Sequence, residues 1–223
     1  MANNLLNIDD HFLRYPKDGW GGTDLNNPDM VNPWLEIQEI VNPKKVIEIG
    51  MFAGHASLLM MNVFKNLESL VSYDPGDVSA INARQIKKYY PEFTFYQEPI
   101  WGNENRHTDI DLIFVDGMHD GKEPYKDFES CQMIKPRYIL ADNIEKHDVR
   151  TATKMYNRFW DLQYEPTYWF YTNTKYSSIC RADLKSPGIM GLFKLEGNPS
   201  KFQKGTPYDN LDSYMKGIKR LVS

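Results

Sequence analysis

Two cysteines in 223 residues, Cys131 and Cys180, are too few and too far apart for a disulfide framework, and they show no metal-ligand spacing. Such sparing use suits a reducing compartment, so a cytoplasmic protein is expected. Basic charge is also short: 26 Lys and Arg against 30 Asp and Glu leave a net charge of −4. With no basic stripe to grip a phosphate backbone, nucleic acid is set aside as a partner. No apolar run approaches the roughly 20 residues that cross a bilayer, so a membrane is set aside too. The first residues lack the basic stretch and apolar core of a secretory leader. What remains has ordinary globular composition and enough length for one domain with a large core.

The densest signal lies at residues 46–57. Val46 to Ile49 is a short apolar run that carries one acid, Glu48, and ends in Gly50-Met51-Phe52-Ala53-Gly54. An apolar helical stretch follows from Ser57 to Phe64. This reads as buried strand, glycine turn and helix, in which Gly50 and Gly54 can take positive φ or let a ligand approach the backbone. Asp74 follows 20 residues after Gly54, at the end of a second apolar run, Leu70–Tyr73. That is the spacing at which an acid meets a ribose diol in a nucleotide-binding unit, although Asp74-Pro75-Gly76 is also a good turn on its own.

Around these motifs the chain alternates strand and helix. Residues 1–32 read as an irregular arm, either folded onto its own domain, closing over a ligand or contacting a second copy in a homodimer. A helix is expected from Pro33 to Val41, with Pro33 at its first position. Further helices are expected at 56–65, 78–89 and 124–133, and strands at 46–49, 70–73, 93–96, 110–115 and 138–140. The loop after residue 96 offers Gln97 or Glu98 to an adenine amino group, and Ile100 or Trp101 to cover its face; a plain surface loop reads almost as well. The strand at 110–115 delivers Asp116-Gly117-Met118-His119, and the next delivers Asp142-Asn143, a pair that also suits a helix cap. A helix over 148–162 and two strands over 164–172 and 188–196 complete a closing antiparallel pair. The fold class is therefore α/β: a doubly wound, Rossmann-like sheet, mostly parallel, of seven strands, forming a single domain over 33–223.

Two cofactors suit such a crevice. A nicotinamide dinucleotide needs a glycine where this chain has Phe52, so that its pyrophosphate can approach. Glu48, inside the first strand, also fits an anion poorly and a cationic cofactor better. Glu48-Ile-Gly-x-Phe-x-Gly54 resembles the first motif of the class I S-adenosylmethionine-dependent methyltransferases, nearest to O-methyltransferases of the catechol O-methyltransferase type. Asp111-Leu-Ile-Phe-Val-Asp116 and Ala141-Asp142-Asn143 resemble the fourth and fifth strand ends of that family. The resemblance covers about residues 33–145.

The resemblance implies an enzyme that methylates a small-molecule acceptor, with oxygen favoured over nitrogen. Its cofactor-binding set would be Glu48, Gly50, Met51, Phe52, Gly54, Ser57, Asp74, Gln97, Trp101 and Asp116. Ser57 would meet the cofactor carboxylate at a helix start. In the metal-dependent branch Asp116, Asp142 and Asn143 would hold Mg²⁺, whose chemistry suits hard oxygen ligands. The family's lysine three residues after the first of these acids is His119 here. A related branch carries Asp-Gly-x-His at this place, as this chain does. His119 and Asp116 are thus the catalytic candidates, with His119 a general base or a metal ligand near neutral pH, and Mg²⁺ an optional participant. A protein that binds the cofactor without turnover is the alternative from outside enzymology.

Overall fold

Apolar runs of four to six residues become strands and amphipathic runs become helices, alternating over the first two thirds of the chain except between the third and fourth strands, where a short 3₁₀ turn stands. The computed structural model describes residues 13, 25, 28–144, 149, 152, 168–171 and 189–194. Helix α1 is Pro28–Val41, followed by strand β1 (Lys45–Ile49), helix α2 (His55–Val63), strand β2 (Ser69–Tyr73) and helix α3 (Asp77–Tyr89). Strand β3 (Phe93–Tyr96), a 3₁₀ turn at Glu104–Arg106, strand β4 (Leu112–Val115), helix α4 (Glu123–Ile134) and strand β5 (Tyr138–Ala141) come next. Strands β6 (Tyr168–Tyr171) and β7 (Ile189–Lys194) close the sheet. The strand order is β3-β2-β1-β4-β5-β7-β6. The first five strands are parallel, β7 runs antiparallel to β5, and β6 antiparallel to β7.

Side chains alternate across the sheet, so each parallel strand feeds two cores. Val46, Leu70, Phe93 and Phe114 pack with α1, α2 and α3 on one face. Ile47, Tyr73, Ile113 and Ile139 pack with Phe128 and Cys131 of α4 on the other. Trp34 of α1 meets Phe114 edge to face at 5.0 Å, which seats the first helix on the sheet centre. Leu13 and Leu25 of the expected arm are buried in the first core.

Helix α1 starts five residues before the expected Pro33, which lies inside it. Pro28 takes the first position instead. An interior proline in the second turn forfeits one hydrogen bond, and the burial of Trp34 and Ile37 outweighs it. Of the helix expected over 148–162, Val149 and Ala152 are described, and both are helical and buried. The stretch 197–223 lies outside the described residues. No helix among the described residues is long and apolar enough to cross a membrane.

Because β1 is flanked by β2 on one side and β4 on the other, chain direction of winding reverses between β1 and β4. Open α/β sheets bind ligands at this point, beyond the carboxyl ends of the strands. Gly50, Asp74, Asp116 and Asp142 each follow directly on one of those ends.

Candidate cofactor and acceptor site

The turn after β1 is built by its neighbours. Gly50 has φ +89°, and a Cβ there would stand 2.1 Å from the Asp116 carbonyl oxygen and 2.7 Å from Gly117 Cα. Glycine is required because β4 exits against it. Gly54 has φ +88°, caps α2, and would press a Cβ on the ends of the Met51 and Ile86 side chains. Phe52 also holds a left-handed φ, +48°, and its ring is 43% exposed at the tip of the turn. Two clasps fix this shape. Asp74 Oδ2 accepts from the backbone N–H groups of Met51 (3.0 Å) and Phe52 (2.7 Å). Asn82 of α3 donates its buried amide to the Ala53 carbonyl at 2.9 Å. Asp74 Oδ1 takes the Gly76 N–H at 2.6 Å. The expected ribose acid is therefore also the strut of the glycine turn, and Oδ1 is the oxygen with capacity left for a hydroxyl.

Glu48 lies beneath this turn with no exposure. Its Oε2 accepts from Ser57 Oγ at 2.5 Å and from Ser72 Oγ, its register neighbour on β2. Burial pushes its pKa up to about 7 against the pull of both serines. Among the described residues, Glu48 Oε1 is the buried side-chain polar atom without a hydrogen-bond partner. The Ser57 hydroxyl, expected at the cofactor carboxylate, here donates to Glu48.

The loop after β3 is tied down. Gln97 Nε2 donates to Asp77 Oδ1 at 2.9 Å. Trp101 Nε1 donates to Asp127 Oδ1 of α4 at 2.8 Å, and Lys126 Nζ lies 4.3 Å from the centre of the indole. Asp127 is buried, and burial pushes its carboxyl up to about 7 despite the indole bond. His107 lies 2.6 Å through Nε2 from the Tyr73 hydroxyl. Burial pushes that hydroxyl up to about 12.

On the acceptor side, Val115 and Ala141 are register partners, so Asp116 and Asp142 leave adjacent strand ends side by side. The Asp142 N–H bonds the Val115 carbonyl at 3.0 Å, and the Asp116 N–H bonds that of Ile49 at 2.8 Å. His119 Nε2 stands 3.8 Å from Asp116 Oδ1, with both side chains about one-third exposed. Asn143 has φ +52°. Asp116, Asp142 and Asn143, the residues proposed for Mg²⁺, lie just past the ends of β4 and β5. Among the described residues no group of three or more His, Cys, Asp and Glu could hold an ion. The His119 imidazole stands beside Asp116, the first of the three.

Three participants were missed in the sequence: Ser72, Asn82 and Asp127. Asp127 had a signal, since it shares a helical face with Phe128 and Cys131, where an acid is out of place. Ser72 and Asn82 had none, because each acts through a partner distant in sequence.

No protein-family model matches the sequence, and no curated protein matches it. Solved structures do. A candidate O-methyltransferase from Klebsiella pneumoniae is similar at 13% identity with a TM-score of 0.57, over 83% of this chain and 86% of that one. The N-methyltransferase NodS from Bradyrhizobium japonicum is similar at 13% identity and TM-score 0.54, over 76% and 97%. The methyltransferase domain of bacterial CtHen1 gives 14% and 0.54, over 75% and 98%. Oxygen and nitrogen methyltransferases both appear, so the acceptor does not follow from the likeness. At such identities the architecture alone is established, and it is one that these methyltransferases share.

Proposed function

We propose that the chain is an S-adenosylmethionine-dependent methyltransferase that acts on a hydroxyl of a small molecule. The observation that carries this reading is the acid beneath the glycine turn. Glu48 is fully buried, is hydrogen-bonded only by hydroxyls, and keeps one oxygen unpartnered. Such a group repels a pyrophosphate and complements a cation, since an unpaired buried acid gains most from an opposite charge. S-adenosylmethionine carries an ammonium and a sulfonium and has no phosphate, so the residues present fit it. Bound there, it would supply a methyl group on a positively charged sulfur.

The chain's own groups would do the rest. Gly50 to Gly54, held by Asp74 and Asn82, shape the methionine end, and Asp74 Oδ1 takes a ribose hydroxyl. His119, next to Asp116, takes the proton from the acceptor hydroxyl as its oxygen bonds the methyl carbon and the sulfur–carbon bond breaks. Asp116 stabilises the imidazolium that results. Holding the acceptor in line is the larger contribution, since well-oriented reactants reach effective molarities of about 10⁵ M or more. Asp116, Asp142 and Asn143 would hold Mg²⁺ if it takes part, and no step is assigned to it.

The test is calorimetric titration with S-adenosylhomocysteine and, separately, NAD. Binding of the first and not the second is expected. The reverse result, or binding of neither, would sink the reading. A nitrogen acceptor is the second reading, because a neutral amine needs no activation and an N-methyltransferase is among the proteins of similar fold. A panel of matched phenols and amines separates the two.

A further inference from the structure

Asp127 belongs to neither the glycine turn nor the Asp116–His119 loop, yet it reaches two loops at the crevice. Its Oδ1 accepts the Trp101 indole N–H at 2.8 Å, from the loop after β3. Its Oδ2 fills the space that a side chain at Gly117 would need: a Cβ built there would stand 2.7 Å away. We propose that Asp127 is a positioning residue that locks the loop after β3 to the loop after β4, so that the two sides of the crevice keep one separation. The inference rests on the methyltransferase reading, in which the first loop borders the adenosine and the second carries His119.

Three observations support it. Asp127 is only 4% exposed and sits on the apolar face of α4 beside Phe128. A carboxyl in that place is costly to bury, and a simple packing role would be met better by an apolar residue. Each oxygen also meets a different loop, whereas a tie to Trp101 alone would need one acceptor. Finally, Lys126 stands over the Trp101 ring at 4.3 Å, so α4 fixes the indole by its face as well as its edge. Gly117 is not in the left-handed region, so what forbids a side chain there is the carboxyl and not the backbone.

The experiment is a double-mutant cycle read as S-adenosylhomocysteine affinity, with melting temperature followed in parallel. Gly117→Ala should weaken binding about tenfold by displacing the carboxyl, the loss of roughly one charge-assisted hydrogen bond. In an Asp127→Ala background the same change should cost less than about twofold, because the space is vacated. Asp127→Leu should weaken binding about as much as Gly117→Ala, and Asp127→Asn, which keeps the Oδ1 acceptor, should recover most of that loss. If Asp127→Ala does not fold, Trp101→Phe takes its place, and its loss should combine with that of Gly117→Ala to less than their product. Losses that simply multiply would overturn the inference while leaving the methyltransferase reading intact. A wild-type protein that does not bind S-adenosylhomocysteine would overturn both.

Discussion

The two edges of the sheet treat their acids in opposite ways. At the amino edge, Asp111 accepts from the Lys44 and Lys45 amides (2.8 and 3.0 Å) and from the Arg137 guanidinium (2.9 Å). Burial alone would raise its pKa, but these donors outweigh burial and hold it below the usual range. Lys44 pairs nearby with Glu68 at 3.0 Å. At the carboxyl edge, Glu48, Asp74 and Asp127 are bonded by serine hydroxyls, backbone amides and an indole. Two of these acids are pushed up to about 7 by burial. One edge is finished in the isolated chain, with charge met by charge. At the other, Glu48, Asp74 and Asp127 are met through neutral hydrogen-bond donors among the described residues, which suits an edge that receives a ligand.

The largest effect that would break this comparison is expected from Gly50→Ala. Its Cβ would collide with the Asp116 backbone at 2.1 Å in a left-handed conformation, which should cost more than about 3 kcal/mol or abolish folding. A denaturation midpoint close to wild type would show that the two strand ends can part.

The next prediction concerns pH. Glu48 has a folded pKa of about 7 against an ordinary 4.5, and Asp127 about 7 against 3.8. Across those windows the native state keeps protons that the unfolded chain has released. Stability should therefore fall as pH rises from about 5 to 7, by up to ~1.4 kcal/mol per pH unit for each group. Asp111 runs the other way: its depressed pKa gives stability that is present above the ordinary 3.8 and lost as pH falls through the folded value. Glu48→Gln should roughly halve the neutral slope, because Asp127 keeps its share, and leave the acid limb alone, as melting curves across pH would record. A wild-type profile that is flat from 5 to 8 would remove the contrast between the edges.

Asp74→Ala should weaken S-adenosylhomocysteine binding by about 1–3 kcal/mol, through the lost hydroxyl contact and the released turn. Unchanged affinity in calorimetry would take Asp74 out of the site. The smallest effect belongs to the amino edge. Lys44→Ala removes a pair whose side chains are 60% and 56% exposed, and its melting point should match wild type within the scatter of repeats.

The element order was legible because periodicity is a local property. β3 falls where the sequence placed it, and β2 and α3 differ by one residue at the start. Gly50, Asp74, Asp116 and Asp142 could be placed at one edge from motif spacing alone. Their partners could not. That Asp74 would bond the amides of Met51 and Phe52 depends on how β2 sits against β1, and spacing is silent on it. The start of α1 was misplaced because Pro33 imitates a first position, while the burial that carries the helix past it is a tertiary effect. The Mg²⁺ expectation came from resemblance at three positions. The sequence already paired His119 with the first of them, and the fold sets the two 3.8 Å apart.

The clasp on the glycine turn has a kinetic consequence. Asp74 grips it from β2 and Asn82 grips it from α3, so its backbone is already set when a ligand arrives. Capture by a loop that must first close shows a rate that levels off at high ligand concentration. Here the turn has nothing to close, and rapid mixing should give a single exponential whose rate climbs linearly with concentration.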